Sequence, residues 1–181
     1  MANILVVHGS PRKGGNSSML ADAFIEGAQA AGNTVTRIDV GNLAINGCKA
    51  CEYCLSHEGE CIQQDAMQDL YPKMKGQDVL VYAFPLYYYS YPAQIKAFMD
   101  RMFCAVGNPG MFEFNKTALL MCFEDKDTST ADGLIKSYEI ISNHLKQEII
   151  GEVIVNAVYE KGAIKGNPGI EQARELGASI K

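Results

Sequence analysis

The hydrophobic positions of this chain form five short apolar runs, and helical patterns lie between them. The runs cover residues 4–8, 35–40, 79–84, 118–123 and 153–158. Apolar residues at helical spacing predict helices within residues 20–31, 95–102, 134–145 and 170–180. A shorter helix is indicated near Met67 and Met74, although Pro72 weakens it. This alternation is typical of an α/β protein with a parallel sheet and helices on both faces.

The second run differs from its neighbours because polar and apolar residues alternate in it. Ile38 and Val40 alternate with Arg37 and Asp39, whereas the first and third runs are apolar on both faces. A half-polar strand suits the edge of a sheet. We therefore expect a doubly wound, five-stranded parallel sheet in the order 2-1-3-4-5, with ligands bound at the carboxyl ends of the strands.

The segment after the first run, residues 9–18, is rich in glycine and hydroxyl groups and leads directly into a helix. Backbone N–H groups and the positive end of the helix dipole converge at such a point. The segment predicts a site for one phosphate, held by hydroxyls, amides and Arg12. The alternative is an ordinary helix start capped by Asn16 or Ser17, which leaves Arg12 without a role.

Two other phosphate-binding motifs are excluded by the same segment. Gly15 stands where a triphosphate-binding loop requires lysine. The dinucleotide motif Gly-x-Gly-x-x-Gly also fails, because Ser10 and Pro11 follow Gly9. A monophosphate is the ligand class that is left.

Composition narrows the class of protein further. The chain has 181 residues, 48% of them hydrophobic, a formal net charge of -5 and a pI near 5.2. These values favour one domain spanning residues 1–181 and disfavour nucleic acid or an anionic membrane as a partner. No apolar stretch reaches the ~20 residues of a membrane span, and the first strand begins too early for a signal peptide. We therefore expect a cytoplasmic protein.

The loop after the third run is unusually aromatic. It reads Pro85-Leu86-Tyr87-Tyr88-Tyr89-Ser90-Tyr91-Pro92 and opens the next helix. Such a loop offers flat apolar surface to a planar ring, and its amides can bond the polar edge of that ring. Alternatively, the tyrosines cover the helix or form a subunit contact.

Taken together, these motifs resemble those of the flavodoxin-fold, NAD(P)H-dependent FMN reductases. The matching segments are Gly9-Ser10-Pro11-Arg12, Asn16-Ser17-Ser18, Pro85-Leu86-Tyr87 with Ser90, and residues 94–101. The resemblance implies a flavodoxin-like sheet, bound FMN, and NAD(P)H as donor to a quinone, a flavin or another small acceptor. It places the phosphate on Ser10, Arg12, Asn16, Ser17 and Ser18, and the ring against Pro85, Leu86, Tyr87, Tyr88 and Ser90.

The flavin itself carries the hydride chemistry in such enzymes, so we nominate no catalytic acid or base. His8 is interpreted as a structural residue and His144 as a surface residue. The resemblance also implies a homodimer or higher homo-oligomer, and the apolar stretch 111–114 is a candidate contact. In the loop after the fourth run, residues 123–127 carry three carboxylates, which should repel the 2′-phosphate of NADPH. We therefore expect no strong preference for NADPH.

Four of the six cysteines form a compact run, C-x2-C-x2-C-x6-C, through Cys48, Cys51, Cys54 and Cys61. Three thiolates at this spacing can surround a [4Fe-4S] cluster, with a fourth ligand from a variable distance. Structural zinc more often uses two cysteine pairs a dozen or more residues apart. A cluster, a set of reduced or redox-active thiols, and zinc all stay open at this point.

The cysteine run also resembles that of the iron-sulfur flavoproteins, a branch of the same fold. That resemblance implies an alternative function, in which FMN and a cluster exchange single electrons with a ferredoxin-type partner. The six-residue gap before Cys61 is long for a compact cluster motif. His57 is interpreted as an exposed loop residue, and Cys104 and Cys122 as small core residues.

Overall fold

Five parallel strands form one sheet in the order β2-β1-β3-β4-β5 in a computed structural model that describes residues 1–181. This confirms the expected order and the edge position of β2. The strands are β1 (Asn3–His8), β2 (Thr34–Asp39), β3 (Val79–Pro85), β4 (Lys116–Cys122) and β5 (Glu148–Val155).

Five helices connect and cover the strands. They are α1 (Asn16–Ala30), α2 (Tyr71–Met74), α3 (Ala93–Arg101), α4 (Asp132–His144) and α5 (Pro168–Ala178). The weak helical pattern around Pro72 becomes a short 3-10 helix, Ala66–Asp69, followed by the single turn of α2. None of these helices is long and apolar enough to span a bilayer.

The bounds of strand β5 differ from those that the sequence pattern predicts. The strand starts five residues before the apolar run 153–158 and ends three residues before the end of that run. Ala157 adopts a positive φ of 56°, and the N–H of Val158 bonds the carbonyl of Phe123 at 2.9 Å. The chain therefore leaves the sheet after Val155, and the residues that follow are free to form a wall beside the end of β4.

Each face of the sheet carries its own core, as expected of buried parallel strands. Leu5 and Val7 face a cluster of 23 buried residues that includes the inner sides of α3 and α4. Ile4 and Val6 face a cluster of 20 buried residues that includes the inner sides of α1 and α5. Both faces are covered, so the open surfaces are the sheet edges and the two ends.

The apolar stretch 111–114 does not form the outward patch that its composition suggested. Phe114 is buried, and Met111 and Phe112 pack against the core below α3. Phe112 and Phe114 also line a groove of about 870 Å³, whose exposed apolar side chains include Phe103 and Ile140.

Helices α1 and α5 cross in backbone contact. A Cβ placed on Gly27 would lie 2.0 Å from the carbonyl oxygen of Arg174, and one on Gly177 would lie 2.1 Å from that of Phe24. No side chain fits between the two helices at this crossing. The approach therefore requires glycine in both helices.

We expect Gly177→Ala to lower the free energy of unfolding by about 1–3 kcal/mol, because the added methyl group forces two backbones apart. Gly133→Ala is the matched control, since no atom lies within 4 Å of a Cβ at Gly133 in α4. That variant should be neutral or more stable by up to about 1 kcal/mol. Urea unfolding followed by circular dichroism measures both. Equal effects of the two substitutions would contradict the packing argument.

Candidate functional site

A crevice of about 440 Å³ opens at the carboxyl ends of β1, β3, β4 and β5. Its volume lies in the range of sites that bind small ligands, roughly 300–1,000 Å³. Eight of the ten predicted cofactor-binding residues line it: Ser10, Arg12, Asn16, Ser17, Pro85, Leu86, Tyr87 and Tyr88. Ser18 and Ser90 are not among its lining residues.

One end of the crevice is the beginning of α1. Gly15 is the N-cap residue in an extended conformation, and no side chain caps the helix. The first backbone N–H to find a helical partner is that of Met19, which bonds the carbonyl of Gly15 at 3.0 Å. The N–H groups of residues 16–18 are left for a ligand, which is the arrangement that binds anions.

The loop before α1 is shaped by two glycines. Gly14 has a φ of +61°, a conformation that favours glycine. Gly41, just after β2, lies so close to Ser10 that a Cβ there would be 2.4 Å from the Ser10 carbonyl carbon. The segment after β2 therefore packs directly against the loop before α1 and supports it.

The polar side chains of the first turn do not cap the helix, because each is bonded elsewhere. Asn16 donates to the carbonyl of Glu160 at 3.0 Å and accepts from the N–H of Gly162 at 3.0 Å. Ser17 lies 3.1 Å from Nε2 of His8, and Ser18 accepts from Arg37 at 3.1 Å. The side chains of Asn16 and Ser18 are thus committed to other partners, and the backbone N–H groups of the turn are left open.

Positive charge gathers at the same end of the crevice. The guanidinium of exposed Arg12 stacks over the ring of Tyr159 at 5.6 Å from the ring centroid. Lys161 also lines the crevice, and its Nζ would lie 3.8 Å from a Cβ on Gly14. Tyr159 and Lys161 were missed by the sequence reasoning because residues 153–158 were interpreted as strand. The turn formers Asn156, Gly162 and Gly166 were the signal that a loop begins there.

The aromatic loop forms the opposite end. Tyr87 and Ser90 exchange backbone hydrogen bonds of 3.1 and 3.0 Å, which close a tight turn. Tyr88 and Tyr89 occupy its centre with φ of 46° and 59°, and Tyr88 is 99% exposed. The N–H of Leu86 bonds the carbonyl of Cys122 at 2.9 Å, which ties the loop to β4. Ser90 is therefore an exposed residue of this turn and does not line the crevice.

Three further lining residues come from the end of β4. Cys122 and Phe123 are buried and Glu124 is exposed at the mouth. Burial raises the pKa of the Cys122 thiol to about 12, so it is an apolar wall rather than a nucleophile. A second cavity of about 430 Å³ adjoins the crevice and shares Leu86, Tyr88, Phe123 and Glu124 with it.

His8 lies behind the anion end and is 2% exposed. Its Nδ1 is 2.8 Å from Asp39 Oδ1, and its Nε2 contacts the Ser17 hydroxyl. Burial and the nearby Arg37 lower the pKa of His8, against the opposing effect of Asp39. Both ring nitrogens are bonded, in agreement with the structural role expected for His8. His57 and His144 are exposed, also as expected.

The cysteine loop is a separate feature. All four cysteines of the run surround one small cavity of about 20 Å³, and Cys104 is a fifth thiol in its lining. Burial and the neighbouring thiols raise the pKa of Cys54. Ala50, Glu52 and Glu58 have positive φ values of 50°, 59° and 50°, so the loop is held in an unfavourable backbone conformation. No three His, Cys, Asp or Glu side chains are arranged to hold a metal ion.

A buried ion pair supports the cysteine loop. Arg101 is 2% exposed, lines the small cavity, and bonds Asp65 Oδ2 at 2.7 Å. Burial works to raise the pKa of Asp65, but hydrogen bonds from Arg101 and from backbone N–H groups hold it below its usual range. Arg101 also donates to the carbonyls of Asn46 and Gln63, and its Nε has no partner.

Comparison with known proteins agrees with this geometry. The family model described as NADPH-dependent FMN reductase matches residues 2–149. Two proteins named iron-sulfur flavoprotein are similar over 52% of this chain: one from Archaeoglobus fulgidus, 39% identical over 94 residues, and one from Methanosarcina thermophila, 37% identical over 95 residues. The matched regions cover 42% and 49% of those proteins, so the chain spans less than half the length of either relative.

Among solved structures, an NAD(P)H:quinone oxidoreductase from Methanothermobacter marburgensis superposes with a TM-score of 0.77 at 17% identity, covering 99% of this chain and 96% of that one. This likeness establishes the fold. The chain belongs to the NADPH-dependent FMN reductase family, because the family model matches most of its length. The flavodoxin-like fold and membership in a flavin reductase family are thereby confirmed.

Proposed function

We propose that this enzyme binds FMN in the 440 Å³ crevice and passes reducing equivalents from NAD(P)H to a small acceptor such as a quinone. The single observation that carries the proposal is the uncapped first turn of α1 inside that crevice. Its N–H groups, with Arg12 and Lys161 beside them, suit the dianionic phosphate of a mononucleotide. When bound, FMN supplies hydride and single-electron transfer.

The protein's own residues would position the ring and exclude water from it. Leu86, Tyr87 and Phe123 offer apolar surface for it at the end of the crevice opposite α1. No histidine lines the crevice. The adjoining 430 Å³ cavity is the place where donor and acceptor would bind in turn, since it shares four lining residues with the crevice.

The phosphate contact is tested with Arg12→Ala. We expect this variant to bind FMN about tenfold more weakly, because one charge-assisted contact of roughly 1.5 kcal/mol is lost, and to bind riboflavin unchanged. Lys13→Ala is the matched control, since Lys13 is an exposed neighbour outside the crevice lining. Flavin fluorescence titration gives all the affinities. Equal losses for FMN and riboflavin would argue against a phosphate at this end.

The preference between NADH and NADPH is tested by a substitution at the mouth of the crevice. We propose that Glu124, with the exposed Asp125 and Asp127 beyond it, repels the 2′-phosphate, so that kcat/KM for NADPH does not greatly exceed that for NADH. Glu124→Gln should shift the ratio toward NADPH by up to about fivefold at low salt, or about 1 kcal/mol. Glu175→Gln, on the exposed side of α5, is the control. A large NADPH advantage in the unaltered enzyme would refute this expectation.

A second candidate function is an iron-sulfur electron carrier. It is favoured by the five thiols around one cavity and by the unpartnered Nε–H of buried Arg101 at the same cavity, because a free N–H donor suits the sulfur atoms of a cluster. The relatives named iron-sulfur flavoprotein point the same way. The thiols are of the chemical type that a cluster uses, but no three of them are arranged to hold a metal ion, and a 20 Å³ cavity holds about one water. Loading of a cluster therefore requires the exposed Cys48 and Cys51 to move outward.

Iron and acid-labile sulfide, measured on protein prepared without oxygen, separate the two functions. The carrier predicts about four of each per chain, and Cys51→Ser should then lower both. Cys122→Ser is the control, because Cys122 does not line the small cavity. Flavin without iron or sulfide would support the reductase with free thiols. Zinc in place of iron would identify the run as a structural metal site.

A further inference from the structure

A chain of three polar groups runs from the crevice to the end of β2, and its first two members, Ser17 and His8, are buried while the third, Asp39, is exposed. Ser17 lines the crevice, its hydroxyl oxygen lies 3.1 Å from Nε2 of His8, and Nδ1 of His8 lies 2.8 Å from Asp39 Oδ1. Ser17 and His8 are each 2% exposed. Water therefore has little access to either of them, and their hydrogens must be arranged among these partners.

The position of the protons follows from the partners. The Asp39 carboxylate can only accept, so Nδ1 of His8 carries a hydrogen. Arg37 Nη2 also lies 3.3 Å from Nδ1, and a guanidinium could only donate to this nitrogen. Because the contact with Asp39 is shorter, at 2.8 Å, we assign the hydrogen to Nδ1. In neutral His8, Nε2 is then an acceptor and the Ser17 hydroxyl donates to it. The hydroxyl hydrogen points away from the crevice, and oxygen lone pairs face any anion there.

We propose that His8 takes up one proton when the phosphate of FMN binds, and that the resulting imidazolium turns the Ser17 hydroxyl toward the phosphate as a donor. The proton comes from solvent and ends on Nε2, which then donates to Ser17 Oγ. No other bond forms or breaks. The inference rests on the proposed FMN site and assigns His8 the role of a positioning residue for its phosphate.

The charges around His8 keep it neutral before the anion arrives. Asp39 and Arg37 face it from β2 and Asp22 from α1, and Arg37 bonds both carboxylates. Burial and Arg37 together place the pKa of His8 below its usual 6.5. A dianion at the start of α1 opposes both effects and raises that pKa. His8 therefore strengthens FMN binding fully at pH values below its pKa in the free protein. This contribution falls as pH rises and is lost above the pKa of His8 in the complex.

The experiment compares the unaltered protein with His8→Gln, whose amide can donate to Ser17 at every pH without titrating. FMN dissociation constants are measured by flavin fluorescence from pH 5 to 9 on chromatographically matched, folded samples. The second ionisation of the phosphate, near pH 6, affects both proteins alike, so the ratio of their constants isolates His8. We expect the FMN dissociation constant of the unaltered protein, divided by that of His8→Gln, to rise with pH between the pKa of His8 in the free protein and its pKa in the complex. The rise is at most about tenfold per pH unit, which is the limit for one proton.

Two further measurements guard the result. Calorimetry in buffers of different ionisation heat should give a larger proton uptake on FMN binding to the unaltered protein than to His8→Gln. Ser17→Ala keeps His8 but removes the hydroxyl, and it should take up fewer protons on FMN binding than the unaltered protein. This variant replaces His8→Gln in the comparison if His8→Gln does not fold. Riboflavin, which lacks the phosphate, should show no difference between the proteins.

A ratio for FMN that is flat with pH, or an uptake that Ser17→Ala leaves unchanged, would overturn the role of His8 while leaving the FMN site intact. Failure of the unaltered protein to bind FMN at any pH would instead overturn the proposed function, and this inference with it.

Discussion

The first turn of α1 can receive an anion because none of its own side chains completes it. Asn16 is bonded to the loop after β5, Ser17 to His8 and Ser18 to Arg37. Each of these bonds also ties the helix start to a different part of the molecule. The N–H groups that a capping side chain would otherwise satisfy are thereby held open and fixed in direction. The charges of Arg12 and Lys161, and the order of the surrounding loops, matter only because this turn stays uncapped.

Much of the architecture could be predicted because parallel strands buried on both faces must be apolar throughout. The runs at β1 and β3 are unbroken for that reason, and Ile38 with Arg37 reveals an edge strand by alternation. The loop between β1 and α1 was also predictable, since a segment rich in glycine and hydroxyl groups between an apolar run and a helical pattern marks such a connection. Periodicity failed at β5, where Gly151 and Glu152 interrupt the apolar pattern and Val158 imitates its continuation.

Contacts between distant segments could not be predicted in the same way. Nothing in the pattern says that Asn16 bonds Gly162, or that Tyr159 stacks on Arg12. Composition was misleading at Phe114, whose side chain is buried within the chain's own core and does not form an outward patch. Spacing identified four cysteines as one group, but only the folded chain brings Cys104 and the Arg101–Asp65 pair to the same cavity.

The crossing of α1 and α5 links the two ends of the chain. Gly27 and Gly177 bring those helices into backbone contact, and Tyr159 and Lys161 stand between β5 and α5. A nascent chain that has emerged from the ribosome only as far as β4 already contains the anion-binding loop and the aromatic loop. It lacks the wall that closes the crevice and the helix that backs α1. The crevice is therefore completed late in biosynthesis, and a product that terminated after β4 would lack the wall formed by Tyr159 and Lys161.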